Sequence, residues 1–199
     1  MTAEILRPDY QVILQWIGPG SSVLDLGCGD GELLDLLVRV RGAKAQGIEI
    51  SEQAIYECVA RGLSVFHEDI DQGLTGYGEQ SFDYVILNQS LQQVKRLDPV
   101  LREALRVGRQ VIVGFPNFAH YRARSQMFFL GKTPVTPALP YQWHDTPNLH
   151  FLSIVDFICY CRARNISIDK TAWIGRTRRV VVLPNLFALT GLFLISLPA

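Results

Sequence analysis

The residues best suited to chemistry lie near the start of the chain. Asp25-Leu26-Gly27-Cys28-Gly29-Asp30-Gly31 sets an acid ahead of glycines at every second position. Glycines so spaced let the backbone turn tightly and come close to a bulky group. Glu49 follows about 20 residues on, where a carboxylate can accept hydrogen bonds from a pair of ribose hydroxyls. Asp69 and Asn88 complete the set, with Ile50 and Ile70 beside the two acids. An acid inside the turn repels a pyrophosphate and suits a cationic ligand. Two phosphate-binding patterns are excluded. The spacing G-x-G-x-x-G, counted from Gly27 and Gly29, meets Glu32 where the third glycine belongs, and no G-x-x-x-x-G-K-[ST] string occurs.

These residues need elements to hold them. Val23–Leu26 predicts a buried strand. Leu33, Leu34, Leu36, Leu37, Val38 and Val40 then recur at helical spacing, behind an Asp30 cap with Glu32 in the first turn. Ala45–Ile50 predicts a second strand bearing Glu49. A Ser51-capped helix runs from there to Arg61, with Gly62 as its stop. Leu63–Phe66 and Phe82–Leu87 predict the third and fourth strands, leading into His67-Glu68-Asp69 and into Asn88. Asp98-Pro99 predicts an acid cap and a first-position proline for a helix ended by Gly108, before a fifth strand over Gln110–Phe115. Strands alternating with helices predict parallel βαβ units with right-handed crossovers, hence a doubly wound, Rossmann-like α/β sheet. Acids and glycines thus fall at successive strand ends. A glycine turn alone can be tight packing, and an acid at a strand end can be a helix cap; together and in order they point to a cofactor.

The texture changes after Phe115. Ala119–Leu130 predicts a helix stopped by Gly131. Lys132–Asn148 is a proline- and aromatic-rich loop with Tyr141, Trp143 and His144, long enough to be a lid or a partner surface. Residues 116–150 are therefore read as a helix and loop insertion in a single domain over residues 1–199. Ser153 and Asp156 predict a capped helix through Arg164, and Ile166–Ile174 and Gly191–Leu197 two late strands paired at a sheet edge. The chain of 199 residues is 48% hydrophobic with no net charge, which gives no overall bias toward nucleic acid. Val180–Leu197 is apolar, but Pro184 and Asn185 interrupt it and a bilayer needs ~20 apolar residues, so no membrane span is expected. Cys28, Cys58, Cys159 and Cys161 form no Cys-x-x-Cys pair and no signal peptide precedes them, which predicts reduced thiols and a cytoplasmic location. His67-Glu68-Asp69 are consecutive and do not converge on one ion, so no metal is expected.

The pattern D-x-G-x-G-x-G resembles the S-adenosylmethionine motif of class I methyltransferases, whose ligand carries a sulfonium and an ammonium but no phosphate. The resemblance implies Asp25, Gly27, Gly29 and Glu49 as cofactor residues. It also implies Asp69 near the adenine amino group, Ile50 and Ile70 along the adenine faces, and Asn88 near the methionyl part. Gly114-Phe115-Pro116-Asn117-Phe118-Ala119-His120-Tyr121-Arg122-Ala123-Arg124, Gly131-Lys132-Thr133-Pro134-Val135-Thr136 and Leu139 to His150 resemble the MetW family of bacterial methionine biosynthesis proteins. That resemblance spans about Leu6 to Leu194 and implies a homoserine O-acyltransferase partner. The expected function is an S-adenosylmethionine- or S-adenosylhomocysteine-binding accessory subunit. The rival is a methyltransferase on a small acceptor, carboxylate-bearing or not, with Arg122 and Arg124 steering it. Asn88-Gln89-Ser90-Leu91 departs from the Asn/Asp-Pro-Pro-aromatic motif of adenine and amide methyltransferases, and Gln92 and Gln93 cannot act as bases. His120, Tyr121, His144 and His150 are the remaining candidate bases, each more consistent with bracing a loop. Little sequence precedes the first strand, where such enzymes often place a helix over the acceptor.

Overall fold

The computed structural model describes residues 6–198. Seven strands form one sheet: β1 (Ser22–Leu26), β2 (Lys44–Glu49), β3 (Ser64–His67), β4 (Phe82–Asn88), β5 (Gly108–Pro116), β6 (Ser167–Ile174) and β7 (Thr190–Ser196). Their order is β3-β2-β1-β4-β5-β7-β6. The first five are parallel, and β7 runs antiparallel to both β5 and β6. Seven helices accompany them: α1 (Pro8–Trp16), α2 (Glu32–Arg41), α3 (Glu52–Ala60), α4 (Leu97–Val107), α5 (Tyr121–Leu130), α6 (Ile154–Ala163) and the short α7 (Pro184–Phe187). The expected doubly wound α/β sheet is therefore present, with the late strands paired at one edge.

Strand alternation divides the core between the two faces. Val85, Leu87, Val111, Val113 and Phe115 face one way and join α4 and α6 through Leu101, Ala104 and Phe157. Ile86 and Ile112 face the other way and meet Ile13 and Ile17 of the N-terminal segment and Leu37 of α2. Phe115 lies parallel to Phe193 across the β5–β7 pair, with ring centroids 5.7 Å apart, and both rings are fully buried. Each such side chain contributes about 1.5 to 3 kcal/mol by leaving water.

Three local expectations change. No element was predicted over α1, although Pro8 takes a first-turn position and Tyr10, Ile13, Leu14 and Ile17 recur at helical spacing. Asp98 does not cap α4, which begins at Leu97 with no side-chain cap. Its carboxylate is drawn across to α6, accepting from Tyr160 Oη at 2.6 Å and Arg164 Nη2 at 2.7 Å. The α2 cap position belongs to left-handed Gly31, while Asp30 accepts from Glu32 N at 3.2 Å from one position earlier. Among the described residues no helix is long and apolar enough to cross a membrane.

Candidate functional site

The carboxyl ends of β1, β2 and β4, with the turns that follow β3 and β4, surround a cleft of about 490 Å³. The turn after β1 is anchored from below, since Gly27 N and Cys28 N both donate to Ile48 O, at 2.8 and 3.2 Å. Gly27, Gly29 and Gly31 take φ of 76°, 56° and 78°, the left-handed region that a side chain strains. Their constraints differ beyond that. A Cβ at Gly27 would stand 2.8 Å from Ser90 Cβ, whereas one at Gly29 would meet nothing within 4 Å. Gly29 lines the cleft and has open space where a Cβ would stand.

Glu49 organises the mouth of the cleft. One carboxylate oxygen accepts from Gly29 N at 2.9 Å, and the other accepts from Ile50 N and Ser51 N, each at 2.9 Å. One acid thus ties the glycine turn to the start of α3 and fixes the shape of the cradle. Asp69 accepts from Asp71 N at 2.9 Å and caps a short 3-10 turn, Ile70–Gln72. Asp71 in turn accepts from Lys95 N at 3.0 Å and Arg96 N at 3.1 Å, closing that side of the cleft. Seven of the eight anticipated residues line the cleft: Gly27, Gly29, Glu49, Ile50, Asp69, Ile70 and Asn88. Asp25 does not. It lies in β1 beneath the turn, 3% exposed. Burial, and then the nearby Glu49 charge, push its carboxyl up from 3.8 to about 7.

Several residues of the cleft were not anticipated. Arg7 and Tyr10 enter from the start of α1. Buried Asp9 binds Arg7 Nη2 at 2.6 Å and accepts from Asn88 Nδ2 at 3.1 Å, which locks α1 onto the end of β4. The Arg7 guanidinium lies 4.2 Å from the Tyr10 ring centroid, a cation–π contact. Gln89 follows with φ 65°, a strained conformation for a residue with a side chain. Asn88 Oδ1, Ser90 Oγ and Gln92 Oε1 are buried without a hydrogen-bond partner, all within five residues of the end of β4. Buried polar atoms are rarely left unpaired, so this concentration at the end of β4 is unusual. The helical spacing of α1 was readable, but its reach to Asn88 is a tertiary contact with no local signal.

The side chains considered as bases stand elsewhere. His120 caps α5, its Nδ1 accepting from Arg122 N at 3.3 Å, and burial, then the Arg122 charge, lower its pKa. His150 Nε2 is 2.9 Å from Val94 O. His144 packs edge-on to Trp143. Tyr121, Arg122 and Arg124 lie on α5, with Arg122 bonded to Tyr121 Oη at 3.1 Å and Arg124 to Ala119 O. None of these six lines the cleft. Among the described residues, no group of three or more His, Cys, Asp or Glu could hold a metal ion.

This strand order, with its single antiparallel strand beside β5, is that of class I methyltransferases. A methyltransferase from Mesorhizobium loti described as S-adenosylmethionine-dependent superposes with a TM-score of 0.69 at 16% identity, covering 97% of this chain and 98% of that one. A TehB-like methyltransferase from Corynebacterium glutamicum superposes with a TM-score of 0.66 at 12% identity, covering 98% and 90%. Such likeness concerns the fold. The family model of "Methionine biosynthesis protein MetW" matches residues 7–195, and the chain belongs to that family. It is 38% identical over 174 residues to the bifunctional methionine biosynthesis protein MetXA/MetW of Rhodopirellula baltica, covering 83% of this chain and 28% of that protein. A ribosomal protein L11 methyltransferase from Burkholderia vietnamiensis is 31% identical over 111 residues, covering 53% of this chain and 36% of the relative. The chain thus spans well under half the length of these curated relatives.

Proposed function

We propose that the cleft binds S-adenosylmethionine or S-adenosylhomocysteine, and that the chain serves methionine biosynthesis as an accessory subunit of homoserine O-acyltransferase. The observation that carries the ligand reading is Glu49, whose carboxylate stands at the end of β2 and holds Gly29 N beneath an open cradle. In this reading Glu49 takes the ribose hydroxyls, Asp69 the adenine amino group, and Ile50 and Ile70 the adenine faces. Asn88 stands beside the methionyl part, and Arg7 supplies a cation for its carboxylate. The acids Asp30, Glu49, Glu68, Asp69 and Asp71 outnumber the cations Arg7 and Lys95 around the cleft, which favours a ligand with a sulfonium and disfavours a phosphate. S-adenosylmethionine, when bound, brings an electrophilic methyl group. The histidines stand outside the cleft, and its lining offers carboxylates, Tyr10 and Lys95 as the groups that could take a proton.

The partner reading is supported by the relative that unites MetXA and MetW in one polypeptide. A ligand that binds two states of such a complex unequally shifts the balance between them, which would let the pathway's end product adjust an early step. The test is the acyltransferase rate measured alone, with this protein, and with this protein plus S-adenosylmethionine. The reading expects a rate that depends on the protein and responds to the ligand only in its presence. Identical rates in all three conditions would refute it, and transfer of a labelled methyl group to a metabolite would favour the enzyme instead.

A further inference from the structure

Arg7-Pro8-Asp9-Tyr10 sets a cation, a proline, an acid and an aromatic in succession at the start of α1. Proline keeps the residue before it out of the helical region, and Arg7 accordingly has ψ 134°. Asp9 then fixes the Arg7 side chain. Its Oδ1 accepts from Arg7 Nε at 3.2 Å and its Oδ2 from Arg7 Nη2 at 2.6 Å, a two-bond fork. Arg7 Nη1 donates to Tyr10 Oη at 3.0 Å. These bonds occupy three of the five guanidinium N–H groups and leave two. The Arg7 side chain is 47% exposed and Arg7 lines the cleft, within reach of a ligand there. Asp9 itself is buried and stands behind the cleft wall, not in it.

Seating the helix does not require this acid. Val12, Ile13, Leu14 and Ile17 are buried and already hold the segment against the core. A buried carboxylate loses solvation that its ion pair only offsets, so such a pair adds little stability. What its bonds do is orient. Asp9 Oδ2, besides holding Arg7, accepts from Asn88 Nδ2 at 3.1 Å. A carboxylate only accepts, so it turns the Asn88 amide with Nδ2 toward α1. One acid thus sets two side chains of the cleft wall, Arg7 from the start of α1 and Asn88 from the end of β4. Resting on the ligand reading above, we propose that Asp9 is a positioning residue. It holds Arg7 in the pose that takes the ligand's amino-acid carboxylate, and so makes the cleft select S-adenosylmethionine over the same sulfonium lacking that carboxylate. A long arginine side chain loses rotamer freedom on binding, and Asp9 imposes that loss before the ligand arrives. If Asp9 instead competed with the ligand for Arg7, its removal would act with the opposite sign.

Calorimetry of the full chain tests this with two probes, S-adenosylmethionine and decarboxylated S-adenosylmethionine, which keeps the sulfonium and the amine. The proteins are the wild type, Asp9→Ala, Asp9→Asn, Arg7→Gln and Arg7→Gln/Asp9→Asn, each checked for folding by circular dichroism. Asp9→Asn keeps the side-chain shape and decides the matter if Asp9→Ala does not fold. The expected result is S-adenosylmethionine bound roughly five- to tenfold more weakly by the Asp9 variants, with affinity for the decarboxylated probe unchanged. In the Arg7→Gln background, Asp9→Asn should add nothing, because Asp9 acts through Arg7. Equal weakening toward both probes makes Asp9 a structural support only and overturns the proposal. Unchanged or tighter binding of S-adenosylmethionine by the Asp9 variants overturns it too. Each of those results leaves the ligand reading standing, whereas a wild type that binds neither probe overturns both.

Discussion

Asp25→Asn is the most instructive perturbation. Asp25 is buried beneath the glycine turn, and desolvation together with the Glu49 charge raises its carboxyl from 3.8 to about 7. A raised acid binds its proton more tightly in the native state than in the unfolded chain. Its favourable contribution is complete below pH 3.8 and is lost as pH climbs to about 7. At about 1.4 kcal/mol for each pH unit, the full loss is roughly 4 kcal/mol as an upper bound. Asparagine keeps the shape and never ionises. In urea unfolding the variant should therefore gain on the wild type by roughly 2 to 3 kcal/mol between pH 5 and pH 8, and then hold a constant lead. Stability curves that stay parallel over that range would show that Asp25 carries its charge without penalty, and the electrostatic account of the turn would be wrong.

Other outcomes follow from the same geometry. Gly29→Ala should cost about 1 kcal/mol, from φ alone, while weakening S-adenosylmethionine, because Gly29 lines the proposed binding cleft. Gly27→Ala should cost more in denaturant midpoint, since its Cβ also meets Ser90 Cβ at 2.8 Å. His120, whose pKa is lowered by burial and then by Arg122, contributes stability above its ordinary 6.5 that is lost as pH falls through its folded value. His120→Asn keeps an N-cap acceptor and should remove that acid-side slope in pH-dependent unfolding.

The sheet was legible because its strands are short apolar runs bounded by glycine and acids, as at Val23–Leu26 and Phe82–Leu87. Left-handed glycines at Gly62 and Gly131 likewise marked helix ends, as their φ of 75° and 61° require. Asp98 was misread because its local context, an acid before proline, is a cap signature. Arg164 and Tyr160 on α6 outbid that local preference, and no local rule foresees a partner more than 60 residues away. The acids and glycines of the cleft were visible because strand ends impose their order. Arg7 and Tyr10 were not, because α1 reaches the cleft through tertiary contacts such as Asp9–Asn88, which leave no local signal. The apolar loop was recognised as unusual from its composition, but its link to the cleft runs through the backbone oxygens of Gln92 and Val94, which residue type does not encode.

The central claim is that the cleft built around Glu49 and Gly29 takes S-adenosylmethionine. Isothermal titration calorimetry of the full chain tests it most directly, using the wild type and Glu49→Ala, a substitution that releases the Gly29, Ile50 and Ser51 N–H groups. Saturable binding at one site, lost in the variant while circular dichroism shows it folded, is the predicted result. Absence of heat with both S-adenosylmethionine and S-adenosylhomocysteine, or equal affinity in the two proteins, would contradict it.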